Sequence, residues 1–234
     1  MKIGVICDIH SNLPALEAAV GELRRRGCSS YIICGDIVGF GPRPEECVNL
    51  VRSLPLTACV RGNHEDLVLA GGPEKIGIPS RVPAEHFLWQ LERLSGGSRS
   101  WLASLPAQSG FEFAGLPAVV THWPCPEGKR ADVKAPMTPE YMSTFLEGPG
   151  ILLFGHHHDP CSYESGDVHI IDFGTLGCVP EGANALCGII SDEEGFYART
   201  VEVEFSQKRN TADMKRLGVP SADWIIAHYF NRTV

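Results

Sequence analysis

KIGVICDIHSN, residues 2–12, decides the fold reading. Residues 2–7 form a short apolar run, which predicts a buried strand. The run stops at Asp8-Ile9-His10, and Asn12 can then cap a helix with Pro14 in its first turn. Leu13, Leu16, Val20 and Leu23 follow at helical spacing until Gly27 ends the pattern. The same unit repeats downstream. A strand at 30–34 meets Gly35-Asp36, a helix follows at about 44–53, and a strand at 57–61 meets Gly62-Asn63-His64. Strand–helix–strand–helix–strand predicts a parallel, layered α/β sheet.

The rest of the chain completes a second sheet. Residues 65–105 read as helical, interrupted by Gly71, Gly72, Pro73, Pro79 and Pro83, with the clearest amphipathic pattern at 84–94. This elaboration is expected to pack its Phe87, Leu88 and Leu91 on the core, or to form a partial lid or an oligomer contact. Strands are expected at 109–114, 117–121 and 151–154, a long surface loop at 123–139, short β runs over 161–205, and helix over 208–231. The expectation is one α/β domain spanning 1–234, a four-layer α-β-β-α sandwich of two mixed β-sheets flanked by helices.

Composition excludes several classes of function. Hydrophobic residues make up 44% and charged residues 21%, enough apolar mass for a packed core, so a disordered chain is ruled out. Lys and Arg number 20 against 28 Asp and Glu, a net charge of −8, which opposes binding of long nucleic acid through phosphate neutralisation. The nine cysteines are odd in number and include no CxxC pair, which argues against a zinc ribbon or a disulfide framework. Cys7, Cys34 and Cys59 lie in or beside apolar runs and are expected to be small buried hydrophobes; no cysteine is expected to serve as a ligand. Free thiols, an N-terminus that meets Asp8 too early for a signal segment, and the lack of any apolar run of about 18 residues together predict a cytoplasmic protein with no membrane span.

Five expected strand ends carry donors: Asp8 and His10, Asp36, Asn63 and His64, His122, and His156 to His158. In layered α/β sheets ligands bind at the carboxyl ends of strands, so these residues should converge. Asp8 and His10, like His156 and His158, are two apart, which in extended backbone points both side chains the same way and His157 away. Carboxylate, imidazole and amide oxygen suit two divalent metal ions such as Mn, Fe, Ni or Zn, manganese included. The donors exceed the needs of one tetrahedral ion, and a shared carboxylate would let two ions clamp an in-line displacement at phosphorus.

The ordered motifs DIH, GD, GNHE, TH and GHHH, with DIHSNLPALEAAV, GDIVGFGPRPEECV and RGNHE around them, resemble the calcineurin-like metallophosphoesterase superfamily. The match is to its small prokaryotic phosphodiesterase branch and runs from residue 2 to about 190. That resemblance implies that Asp8, His10 and His158 hold the first metal, that Asn63, His122 and His156 hold the second, and that Asp36 bridges them. It implies a hydroxide between the metals attacking phosphorus, with His64 protonating or stabilising the leaving-group oxygen. The implied activity is a dinuclear metal-dependent phosphoesterase, a phosphodiesterase or phosphatase acting on a small phosphate ester, in a chain that can be a homo-oligomer. A non-catalytic metal-binding interaction scaffold on the same fold and a nuclease are the competing readings. The chain departs from the family at Trp123, which should narrow or floor the pocket, and at Asp172-Phe173-Gly174-Thr175, which stands for an NPGS-like segment. Arg61 either orients phosphate or makes a surface ion pair; Lys129, Arg130 and Lys134 either hold an anionic substrate or form a solvated charged loop.

Overall fold

The computed structural model describes residues 1–77, 80–123, 138, 141–142, 144–146 and 148–230. The first sheet contains β1 (Lys2–Ile6), β2 (Ser30–Ile33), β3 (Leu56–Cys59), β9 (Ala185–Ser191) and β10 (Tyr197–Val203) in the order β10-β9-β1-β2-β3. Strands β1, β2 and β3 are parallel, and β9 and β10 pair antiparallel. The second sheet contains β4 (Gln108–Phe113), β5 (Leu116–Thr121), β6 (Gly150–Phe154), β7 (Cys161–Ser165) and β8 (Val168–Asp172) in the order β4-β5-β6-β8-β7. Here β5, β6 and β8 run parallel, with β4 and β7 antiparallel at the edges. Both sheets are mixed, and helices flank them, as the α/β reading expects.

The two-residue period of a strand sorts side chains between layers. Ile3, Val5 and Cys7 of the first sheet meet Val120, Ile151 and Leu153 of the second in an apolar layer between the sheets. Their neighbours in the chain face outward: Ile6 joins the layer under the helices, and Leu152 and Phe154 join Met142 and Ile170 on the far face. Burying each such side chain contributes about 1.5–3 kcal/mol. Helix α1 (Leu13–Arg25) lays Leu16, Ala19, Val20 and Leu23 on the first sheet beside Cys47, Val48 and Val51 of α2 (Pro44–Arg52). Asn12 caps α1 by accepting a hydrogen bond from the Ala15 amide at 3.3 Å, and its amide group donates to the Gly177 carbonyl and to Gln207.

The helical insertion packs on the same core. Helices α3 (Asn63–Ala70), α4 (Ala84–Arg93) and α5 (Gly96–Ser104) bury Leu67, Phe87, Trp89 and Leu102 there. Leu88 departs from the expected inward set: it is 40% exposed on the outer side of α4, because Phe87 and Leu91, not Leu88, share the stripe that meets the core. Gln90 of α4 ties this insertion to the first sheet. It accepts from the Ser11 hydroxyl at 3.0 Å and donates to the Gly41 carbonyl at 2.5 Å, joining the loops that follow β1 and β2.

The expected helix over 208–231 is broken. Helix α6 (Gln207–Arg216) stops before Gly218, which adopts φ +64°, and Pro220, whose ring cannot continue a helix. A short turn α7 (Ala222–Ile225) and a wide helical turn at Ile226–Phe230 follow. That last segment stacks Tyr229 on Phe40, whose ring also packs on His10 and His64. Among the described residues no helix is long and apolar enough to cross a membrane.

Candidate metal centre

The exits of β1, β2, β3, β5 and β6 meet at one rim, and the loops there are zipped together. The amides of His10 and Ser11 donate to the carbonyls of Asp36 and Ile37 at 2.9 Å each, and the Gly155 amide donates to the His122 carbonyl at 3.0 Å. The expected extended backbone is absent at the ligand pairs. Asp8 (φ +54°), His10 (φ +47°), Asp36 (φ +51°), His156 (φ +80°) and His158 (φ +69°) all lie in the left-handed region. Each such non-glycine residue costs on the order of 1 kcal/mol or more, and a packed loop system must hold it there. The reason is directional. A chain leaving a strand must turn sharply to aim its side chain back over the strand end, which extended backbone would carry past.

The donors gather in two groups. In the first, Nε2 of His10 lies 3.0 Å from Nε2 of His158, and Oδ1 of Asp8 is 3.9 Å from the first and 3.6 Å from the second. In the second, Oδ1 of Asn63 lies 3.0 Å from Nε2 of His122 and 2.8 Å from Nδ1 of His156, with the two imidazole nitrogens 3.3 Å apart. Asp36 stands between them, its Oδ2 3.8 Å from His10 Nε2 and 3.2 Å from His122 Nε2. His156 and His158 thus serve different groups, and His157 turns outward to solvent.

Hydrogen bonds from behind orient these donors. His122 Nδ1–H donates to the Cys34 carbonyl at 2.7 Å, which leaves Nε2 facing Asn63 and Asp36. The His156 amide donates to the Asp8 carboxylate at 3.1 Å, and the His64 amide donates to Asp36 Oδ1 at 2.8 Å. Glu65 is fully buried and receives three amides: Gly62 at 2.7 Å, Asp36 at 2.9 Å and Val38 at 3.0 Å. It fastens the β2 exit to the β3 exit. The sequence places this carboxylate beside His64, but its partners are backbone amides. The spacing Gly62-x-x-Glu65, the reciprocal half of a helix capping box, is the signal that could have found them.

Buried charge dominates the electrostatics. Burial raises Asp8 well above the usual carboxylate range. Burial also opposes ionisation of Asp36, but His122, His64 and His10 outweigh it and hold the carboxylate well below that range. His122 is the counterpart: burial works against its proton, yet Asp36 prevails and pushes it up to about 10. Burial lowers His10 and His64, and takes His156 down to about 3. Asp36 and His122 therefore form an oppositely charged pair. Oδ1 of Asn63 and Nδ1 of His156 face one another at 2.8 Å beside that pair, and a divalent cation would draw these donors and Nε2 of His122 together in place of the His122 proton. The donor set fits such ions. Among the described residues, three ligand combinations cluster tightly enough for a metal: Asp36-His122-His156, His10-Asp36-His64 and His10-His158-Cys178.

The other expected residues divide. Trp123 is buried, its ring 4.7 Å from His156 and 4.4 Å from His157, so it walls the second group. Arg61 points elsewhere: Nε pairs with Asp66 at 2.9 Å and Nη1 donates to the Ala103 carbonyl at 3.1 Å, the ion-pair reading of this residue. Lys129, Arg130 and Lys134 lie outside the described residues. Asp172 is buried, accepts from the Gly174 amide at 2.8 Å, and is pushed by burial up to about 7. Cys178 has no forerunner in the sequence reading, which expects no thiol at the centre.

Comparison with known proteins places this geometry. The family model described as the calcineurin-like phosphoesterase superfamily domain matches residues 1–194. An uncharacterized protein of Methanocaldococcus jannaschii is 30% identical over 222 residues, covering 88% of this chain and 89% of its own. The crystal structure of a metallophosphoesterase from Sphaerobacter thermophilus superposes with a TM-score of 0.77 at 25% identity, covering 98% of each chain. A hypothetical protein from Pyrococcus horikoshii OT3 shares the fold with a TM-score of 0.80 at 22% identity, over 100% of this chain and 99% of its own. The chain belongs to the calcineurin-like phosphoesterase superfamily, a family of metal-dependent phosphoesterases.

Proposed function

We propose that the chain is a dinuclear metal-dependent phosphoesterase that hydrolyses phosphodiesters or phosphomonoesters of small molecules. The observation that carries this reading is Asp36, whose Oδ2 faces His10 at 3.8 Å and His122 at 3.2 Å. One carboxylate reaches both ligand groups, which suits a pair of ions better than a single one. Asp8, His10 and His158 hold one ion in this reading, Asn63, His122 and His156 hold the other, and Asp36 serves both. When bound, the ions supply a water of lowered pKa as nucleophile and positive charge facing the phosphoryl oxygens.

The chain's own residues do the rest. The Cys34 carbonyl keeps the proton of neutral His122 on Nδ1, and Glu65 holds the Asp36 and Gly62 amides so that the two loops keep their spacing. His64 is placed by its amide bond to Asp36 and by Phe40 against its ring. Burial keeps its imidazole neutral near neutral pH, despite Asp36. It therefore meets the leaving-group oxygen as an N–H donor that stabilises the charge developing there. Trp123 limits the room beside His156.

Elemental analysis of purified protein tests the reading, with close to two divalent ions per chain expected. Chelation should abolish hydrolysis of an aryl phosphodiester, and adding back a divalent transition metal should restore it. Asp36→Asn should lower turnover by orders of magnitude because it weakens both groups. Metal-free protein that still cleaves the diester would refute the proposal.

A further inference from the structure

The segment after β8 returns to the first ligand group through a sequence of close contacts. The Leu176 amide donates to the Cys7 carbonyl at 3.0 Å and the Gly177 amide to the Asp8 carbonyl at 2.8 Å, while the Thr175 hydroxyl donates to the same Asp8 carbonyl at 3.2 Å. Gly177 lies so near that a Cβ there would stand 2.0 Å from the Ile9 carbonyl oxygen, so only glycine admits this approach. The approach places the next residue at the centre. The Cys178 sulfur and ring nitrogens of His10 and His158 all lie within 4.8 Å of one another. The Cys178 amide is fixed by the Thr175 hydroxyl at 3.0 Å, and the residue is 7% exposed.

We propose that Cys178 is a thiolate ligand of the ion held by Asp8, His10 and His158. The inference rests on the metal-centre reading above and adds a donor to it. Cys178 borders the apolar core under the helices, yet its sulfur also lies within 4.8 Å of ring nitrogens of the two imidazoles that define the first group, which apolar filling does not require. With metal–nitrogen and metal–sulfur bonds of about 2.1 and 2.3 Å, two donors on one ion stand at most about 4.4 Å apart, so separations bounded at 4.8 Å need at most a few tenths of an ångström of closure. Coordination forms the sulfur–metal bond and releases the thiol proton to solvent. The consequence is selectivity. A sulfur donor biases the first group toward zinc, iron(II) or cobalt(II) and away from manganese and magnesium, which prefer all-oxygen or oxygen and nitrogen shells. The second group, with amide oxygen and two imidazoles, has no such bias, so the two halves of the centre should differ in metal preference.

X-ray absorption of the zinc-loaded protein provides the test without reference to activity. The wild type should show a sulfur scatterer at about 2.3 Å. The cobalt-loaded protein should show a thiolate-to-cobalt charge-transfer band in the near ultraviolet. Cys178→Ser should lose both signals while still binding two ions, with zinc affinity lowered at least about tenfold and manganese affinity little changed. Wild-type protein with two zinc ions and no sulfur scatterer would overturn the proposal and leave the dinuclear reading intact, whatever the stability of the variant. A Cys178→Ser spectrum identical to wild type would overturn it equally. Protein that takes up no divalent ion would overturn both.

Discussion

Glu65 offers the most quantitative test of how the centre is built. Its two carboxylate oxygens accept three amides, with Gly62 and Asp36 on Oε2 and Val38 on Oε1. Glu65→Gln preserves shape but leaves only one acceptor oxygen. If that oxygen keeps the Gly62 and Asp36 amides, the new NH2 group faces the Val38 N–H, donor against donor, in a site with no exposed surface. One hydrogen bond is lost and one buried donor is left unsatisfied, a cost of about 2–3 kcal/mol. Glu65→Ala strands all three amides and opens a cavity, so it should cost at least about 5 kcal/mol. Urea unfolding of metal-free protein measures this directly, because metal loss then cannot contribute. The functional consequence follows from geometry. The Asp36 amide loses a fixed point while its carboxylate lies between the two candidate ligand groups, so metal affinity should fall about 10- to 100-fold in Glu65→Gln if the proposed centre is right. Stability within about 0.5 kcal/mol of wild type, together with unchanged metal affinity, would show that the three amides find other partners and that Glu65 does not hold the loops.

Three further outcomes are expected. His64→Ala should lower phosphodiester turnover about 10²- to 10⁴-fold while metal content stays unchanged; loss of metal with turnover would make His64 a ligand. Gln90→Ala removes both bonds between α4 and the loops at Ser11 and Gly41, so denaturant unfolding should report a loss of about 2–3 kcal/mol, and a neutral result would detach α4 from those loops. His86 is buried, its Nδ1–H donates to the Pro220 carbonyl at 3.2 Å, and burial takes its pKa from 6.5 down to about 4. The unfolded chain therefore binds this proton more readily than the native one, so native stability should fall as pH drops from about 7 to about 4, by up to about 3 kcal/mol from this residue. Comparison with His86→Gln, which keeps a donor but does not titrate, isolates the effect; identical pH dependence in the two proteins would contradict it.

Residues legible in the sequence share one property: their role depends on their own chemistry and on a nearby strand. Asp8, Asp36, Asn63, His122 and His156 each follow an apolar run, and the parallel sheet brings such ends together whatever the loops do. A two-residue spacing predicts extended backbone, but the structure holds both pairs in left-handed conformations; His156 and His158 stand in different groups, as the family resemblance implies and the spacing does not. Convergence was readable because strand order sets it; aim was not, because loop path sets it.

The residues whose partners the sequence does not show act on backbone atoms. Glu65 and Gln90 bind backbone groups of loops that follow other strands, and which amides lack a partner there is known only once those loops are placed. Cys178 shows the same limit: a cysteine beside apolar residues reads as core, which its packing bears out, and nothing in its neighbours reveals that Gly177 rests against Ile9 and brings the sulfur beside His10 and His158. The amphipathic stretch at 84–94 shows the same limit from the other side. Its periodicity identified a helix, yet not that Leu88 would face outward while polar Gln90 would be buried, since a polar residue enters the interior only where backbone groups await it. Ligands are therefore the part of a metal centre that sequence exposes most readily. The groups that fix their geometry are defined by unsatisfied backbone hydrogen bonds, so they belong to the tertiary structure before they belong to any motif.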